Sequence, residues 1–156
     1  MPDDAPLLTA ERQRDLAAVL DTLVPPSADG RLPGAGELGL ARAIEEKMRE
    51  QPELRPAVAD GLEALGALAR ETGAASFADV PAAERADLLN RASAEAPAFL
   101  PGLVFHTYNA YYHQAPVLEA LGVPPRPPFP EGYVVAPMDE SLVDRVRRRE
   151  PLWRRV

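Results

Sequence analysis

The placement of proline constrains this chain more than any other feature. Eighteen prolines occur in 156 residues. Each removes a backbone donor and is excluded from helix interiors, so together they divide the sequence into stretches a helix can occupy and stretches it cannot. Ahead of Pro25-Pro26, residues Leu16, Val19, Leu20 and Leu23 recur at the spacing of one helical face, behind Thr9 as N-cap and Glu11 in the first turn. The following segment, Ser27 to Gly36, is rich in turn residues, and its Pro33-Gly34 pair predicts a tight turn with the glycine at positive φ. Leu40, Ile44 and Met48 predict a second helix before Pro52. Leu54, Val58, Leu62, Leu65 and Leu68 predict a third that reaches Gly73.

After a loop holding Phe77, Pro81 suits the first turn of a fourth helix running to Ala94, with Leu88 and Leu89 on one face. Leu100, Val104, Tyr108, Tyr111 and Tyr112 keep helical spacing in a fifth, which should begin at about Pro101. A further turn or two from Pro116 to Leu121 ends at Gly122. Pro124, Pro125, Pro127, Pro128, Pro130 and Pro137 then exclude a regular helix or strand and predict an extended arm over residues 123–138. Asp139 or Ser141 can cap a last short helix, with Leu142, Val143 and Val146 inside and Arg145, Arg147, Arg148 and Arg149 outside. No strand alternation or internal repeat is present. The expectation is an all-α fold: a bundle of about five to six helices over residues 1–122, and a proline-rich arm with a basic C-terminal helix over 123–156, packed on the same domain or on a partner.

Composition narrows the function classes. With 46% hydrophobic and 26% charged residues the chain resembles an average soluble domain. No window approaches the roughly 20 apolar residues of a spanning helix. The absence of cysteine excludes disulfides, thiolate zinc sites, iron–sulfur clusters and c-type haem attachment. A net charge of -7 disfavours nucleic acid, although residues 139–156 carry six basic against four acidic side chains, and Arg147 to Arg149 with Arg154-Arg155 suit a solvated or partner-facing tail. Apart from Lys47 and the two histidines the basic residues are all arginine, and alanine and proline abound, which suggests a bacterial genome of high GC content. The acidic start Met1-Pro2-Asp3-Asp4 lacks the basic and apolar regions of an export signal, so the expected location is cytoplasmic, or periplasmic only if a partner carries the chain there. The pairs Asp3-Asp4 and Glu45-Glu46 are expected on the surface.

The polar constellation of the sequence is His106, Asn109 and His113, one stripe at i, i+3, i+7 on the fifth helix with Tyr108, Tyr111 and Tyr112 beside it. Two histidines two turns apart are separated by roughly 10 Å along the axis, too far to chelate one ion unaided. Neither Asp nor Glu lies between Pro97 and Pro116 to orient a catalytic imidazole. Packing of an amphipathic aromatic helix against the arm or a partner accounts for the stripe without catalysis. The Gly34-Ala35-Gly36 turn lacks the preceding strand and the Gly-Lys-Ser/Thr sequence of a phosphate loop and is expected to be structural.

Several short motifs, in order, resemble a known family. Leu8-Thr9-Ala10-Glu11 opens the first helix, Asp21-Thr22-Leu23-Val24-Pro25 ends it, and Pro33-Gly34-Ala35 precedes the second; Phe77-Ala78-Asp79-Val80 leads into a helix holding Arg85 and Leu88-Leu89, and Tyr111-Tyr112 is followed by Pro116 and Leu121-Gly122. From about Leu8 to Gly132 the chain is similar to the gluconate 2-dehydrogenase subunit 3 family. The resemblance implies a small helical subunit without its own cofactor, bound to a large subunit of the glucose–methanol–choline oxidoreductase type that carries FAD and oxidises sugars, sugar acids or glycosides. It carries over no catalytic residue. Complexes of this family can include a cytochrome subunit, whose haem would here belong to another chain. Many members begin with a twin-arginine signal, and this sequence departs from that pattern.

The expected function is therefore a non-catalytic accessory subunit that stabilises a flavoprotein, with Tyr108, Tyr111, Tyr112, His106, His113, Phe129, Tyr133 and Trp153 at the partner interface. No metal or cofactor site is expected in the chain itself. Two alternatives stand beside it: a subunit whose His106 and His113 enter a shared active site, and a stand-alone helical interaction protein.

Overall fold

A computed structural model describes residues 6–126, 129–130, 132 and 136–149, which divide into two compact units, Met1–Pro125 and Arg126–Val156. The first unit contains α1 (Ala10–Leu23), α2 (Ala41–Glu50), α3 (Leu54–Glu71), a 3-10 turn (Phe77–Asp79), α4 (Ala82–Glu95), α5 (Phe99–Tyr111) and α6 (Ala115–Ala120). Among the described residues there is no strand. The all-α expectation holds.

The helix ends follow local chemistry. Thr9 Oγ1 accepts the Arg12 amide at 3.2 Å and caps α1, whose last residue lies two before Pro25. At the ends of α3 and α6, Gly73 and Gly122 take positive φ. In each case the two amides that follow the cap bond back to the final turn: Gly73 to Arg70 and Ala74 to Ala69, then Gly122 to Glu119 and Val123 to Leu118. Arg55 Nε closes the end of α2 on the Met48 carbonyl, 2.7 Å away.

Helix α3 is central and packs on α1, α2, α4, α5 and the 3-10 turn. Its stripe of Leu54, Val58, Leu62, Leu65 and Leu68 is buried, as are Leu16, Val19 and Leu20 of α1 and Ile44 and Met48 of α2. At about 25 cal/mol per Å² of apolar surface removed from water, faces like these supply the main drive for assembly. The Phe99 ring packs against Gly61 of α3, and a Cβ there would come within 2.1–2.4 Å of three ring carbons.

The structure corrects several expectations. Helix α5 begins at Phe99, so that Pro101 occupies its third position, where the missing N–H has no intrahelical acceptor to lose. Its buried face is Phe99, Leu103, His106, Thr107 and Tyr111, rotated from the stripe of Leu100, Val104 and Tyr108, because apolar residues lie all round this helix and periodicity cannot choose among them. Gly34 does not have positive φ; it is required because a Cβ would collide with the Asp21 carboxylate. Glu45 is buried, its carboxylate accepting the Leu8 amide at 2.8 Å and the Gln13 side-chain amide at 3.2 Å, which replaces the hydration it gives up.

In the second unit, α7 (Ser141–Arg147) starts where the Asp139 carboxylate accepts the Ser141 amide at 3.0 Å. The bonds from the Ser141 hydroxyl and amide hold the Asp139 carboxyl below the usual carboxylate range. Leu142, expected inside, is exposed, and Arg147, Arg148 and Arg149 are exposed as expected. A helix of two turns has too little surface to bury one apolar stripe by itself. The described residues between Val123 and Met138 form neither helix nor strand, and Arg126 Nη2 donates to the Gly132 carbonyl at 2.8 Å.

Candidate functional site: the two outward stripes of helix α5

Helix α5 buries one face and presents two others. Phe105, Tyr108 and Tyr112, at i, i+3, i+7, form the first outward stripe and are 65%, 42% and 49% exposed. The rings of Tyr108 and Tyr112 stack with centroids 6.1 Å apart and planes 13° from parallel, while Tyr111 meets Tyr112 edge-on at 5.3 Å. Stacking fixes these rings before anything docks on them, so little side-chain entropy remains to be lost on binding.

The second stripe, His106, Asn109 and His113, faces α2 across a cleft of about 260 Å³ whose lining also includes Lys47 and Gln114. His113 Nδ1 lies 2.6 Å from the Asn109 carbonyl and must donate to it, since a carbonyl only accepts; Nε2 is left free. Gln114 Nε2 donates to the Ala110 carbonyl at 3.0 Å. His106 is 9% exposed, and its ring meets Phe105 edge-on at 5.2 Å. Among the described residues no group of three or more metal-ligating side chains converges.

The expected interface residues thus separate. Tyr108 and Tyr112 lie on the open stripe, His113 is exposed at the cleft, and Phe129 is exposed in the second unit. Tyr111 is buried instead, and its hydroxyl donates to the Pro33 carbonyl at 2.9 Å, so this ring is engaged in the chain's own packing. His106 is likewise nearly enclosed. Tyr133 and Trp153 lie outside the described residues. Phe105, which the sequence reading passed over, is the most exposed ring of the stripe; its i+3 and i+7 relation to Tyr108 and Tyr112 was the available signal.

Three carboxylates hold the frame behind α5, and none was singled out for this role from sequence. Asp21 Oδ1 accepts the Gly36 amide at 2.7 Å and the Glu37 amide at 3.3 Å, pinning the turn between α1 and α2. Asp15, buried on α1, accepts the Ala78 amide at 2.9 Å and seats the 3-10 turn whose Phe77 enters the core. Glu45 fixes the entry to α1 through Leu8. Arg85 completes the seat, donating to the carbonyls of Val80 and Ala78 at 2.9 and 2.7 Å. The motifs around Asp21, Gly34, Phe77 and Arg85 therefore have structural work in this chain.

Compared with known families, the chain matches the one described as Gluconate 2-dehydrogenase subunit 3 over residues 10–122. No curated protein and no solved structure gives a match. The matched span runs from the start of α1 to the glycine that ends α6.

Proposed function

The chain belongs to the gluconate 2-dehydrogenase subunit 3 family, and from that premise we propose that it is a non-catalytic small subunit that binds and stabilises a flavin-dependent large subunit of the glucose–methanol–choline type. A family of dehydrogenase subunits implies a protein partner. The observation that carries the reading is the exposed stripe of Phe105, Tyr108 and Tyr112, the two tyrosines stacked, on the apolar helix α5. Large rings left in water on one helix face are the composition of an interface core, where such anchors commonly contribute about 2 kcal/mol or more each. FAD, in this reading, belongs to the partner, and any haem to a third chain.

The mechanism is mass action. A subunit that binds only the folded partner stabilises it by roughly RT ln(1 + [L]/Kd), about 2.7 kcal/mol at a hundredfold excess over Kd. Co-expression with a flavoprotein encoded beside this gene tests the reading. The expected product is one complex holding both chains with flavin absorbance, and Phe105→Ala with Tyr108→Ala and Tyr112→Ala should abolish co-purification while the isolated chain stays helical by circular dichroism. A complex that survives the triple substitution would place the contact elsewhere; flavin and sugar oxidation retained by this chain alone would overturn the non-catalytic assignment.

A further inference from the structure

A cleft between α1 and α3 is lined by five charged side chains: Glu11, Arg12 and Asp15 from α1, Glu63 and Arg70 from α3. Among the described residues, none of the five forms an ion pair, although exposed neighbours elsewhere do, as Arg42 with Glu46 and Arg91 with Glu71. Charges of both signs thus share an opening of about 240 Å³ without neutralising one another directly.

The most buried of the five is only half used. Asp15 is 5% exposed; its Oδ1 accepts the Ala78 amide at 2.9 Å, and its Oδ2 has no partner among the described residues. No fully enclosed side-chain oxygen among them lacks a partner, so Oδ2 is reached through the cleft that Asp15 lines. A carboxylate oxygen so nearly buried calls for a donor to offset its desolvation. The two arginines keep donors to spare. Arg12 Nη1 donates to the Ala59 carbonyl at 3.3 Å, which leaves its other N–H groups. Arg70 folds back over Gly66, its Nη1 3.5 Å from where a Cβ on that glycine would stand, and its guanidinium has no partner among the described residues.

We propose that this cleft binds a free basic amino acid. The α-ammonium supplies the donor that Asp15 Oδ2 lacks, the α-carboxylate accepts from Arg70 with Arg12 as a second donor, and the side-chain cation meets Glu11 and Glu63. Charge selects this class: two arginines against three carboxylates leave the lining one negative charge, which a ligand with two cationic groups and one carboxylate cancels. A simple anion would meet three carboxylates. A metal ion would meet two guanidinium groups and, among the described residues, no converging ligand set. The volume lies below the roughly 300–1,000 Å³ of pockets for drug-sized ligands and suits a single amino acid. This site is separate from the aromatic stripe and stands whether or not the chain assembles with a flavoprotein.

The test is a titration of the isolated full chain with L-lysine, following the backbone amides of Ala78 and Gly66 by NMR. Cadaverine, which lacks the carboxylate, L-norleucine, which lacks the side-chain ammonium, and sodium chloride are the comparisons. L-Lysine should give a saturable shift and bind about tenfold more tightly than cadaverine or norleucine, the scale of one charge-assisted hydrogen bond. Arg70→Gln, a substitution of an exposed side chain, should weaken L-lysine about tenfold. Asp15→Asn keeps an oxygen for the Ala78 amide but turns the free position into a donor, and should abolish the saturable shift; if that variant melts early, Arg70→Gln decides. Absence of saturation, shifts that chloride reproduces, equal affinity for cadaverine or norleucine, or binding unchanged by Arg70→Gln would each overturn the proposal.

Discussion

Asp21 illustrates how one side chain can dictate its neighbours. Its carboxylate occupies the space that a Cβ on Gly34 would enter, and a Cβ on Gly36 would meet both that carboxylate and the backbone carbonyl of Ala17. A helix carbonyl cannot move aside, so Gly36→Ala should cost about 2–3 kcal/mol in urea denaturation. Asp21→Asn keeps an acceptor for the two amides and should cost less than about 1 kcal/mol. Equal costs for the two variants would show that the charge, not the close approach, holds the turn. Tyr111 gives a pH-dependent test. Burial, with a smaller effect from the nearby Tyr112, pushes its hydroxyl above the ordinary value of 10.0. The unfolded chain releases that proton first, so the contribution is complete below about pH 10 and is lost as pH rises through the folded-state value. Tyr111→Phe should cost about 1 kcal/mol at neutral pH, by removing the donor to the Pro33 carbonyl, and should flatten the alkaline fall in stability. An unchanged alkaline slope would remove Tyr111 from the account.

At the scale of the element, α3 carries two glycines with opposite roles. Gly61 admits the fully buried Phe99 ring, whereas a Cβ on Gly66 would meet only the end of the Arg70 side chain, 3.5 Å away. Gly66→Ala should therefore stabilise the chain by about 0.5–1 kcal/mol through helix propensity and the narrower unfolded ensemble. Gly61→Ala gains the same propensity but drives a methyl group into the ring, a cost of about 1–3 kcal/mol that outweighs it. Thermal melts of the two variants should move in opposite directions; a rise for both would mean that Phe99 can retreat. Helix α5 shows why element and face are separate questions. Its extent follows from local rules, since Pro101 fits only a first turn, but its apolar residues surround the axis, and the face that enters the core is set by Gly61 and by the groove beside α2.

For the whole molecule, the open aromatic stripe predicts that truncation alters association more than folding. Tyr108→Ala with Tyr112→Ala removes two half-exposed rings and should lower the stability of the isolated chain by less than about 1 kcal/mol, the usual range for surface substitutions with a stacking contribution added. The same variant should weaken association with the proposed large subunit by tenfold or more. A marked loss of thermal stability without loss of the complex would make the stripe internal packing. The family assignment, the all-α class and the helix order were legible in the sequence; of the residues expected at an interface, only Tyr108, Tyr112, His113 and Phe129 are described and openly exposed.

What the sequence determined by itself is local: Thr9 as a cap, Gly73 and Gly122 as stops, the prolines as breaks, and the leucine stripes of α1 and α3. Each depends on backbone groups within one or two turns, which any reader of the chain can place. Tertiary structure decided the pairings across long separations. Asp15 meets an amide 63 residues away, Glu45 one 37 residues back, and Tyr111 a carbonyl 78 residues back. An aspartate bound for solvent and one bound for a buried amide have the same side chain and similar neighbours in sequence. Only the fold brings up the partner that compensates its desolvation, and only the fold set His106, His113 and Lys47 around one cleft.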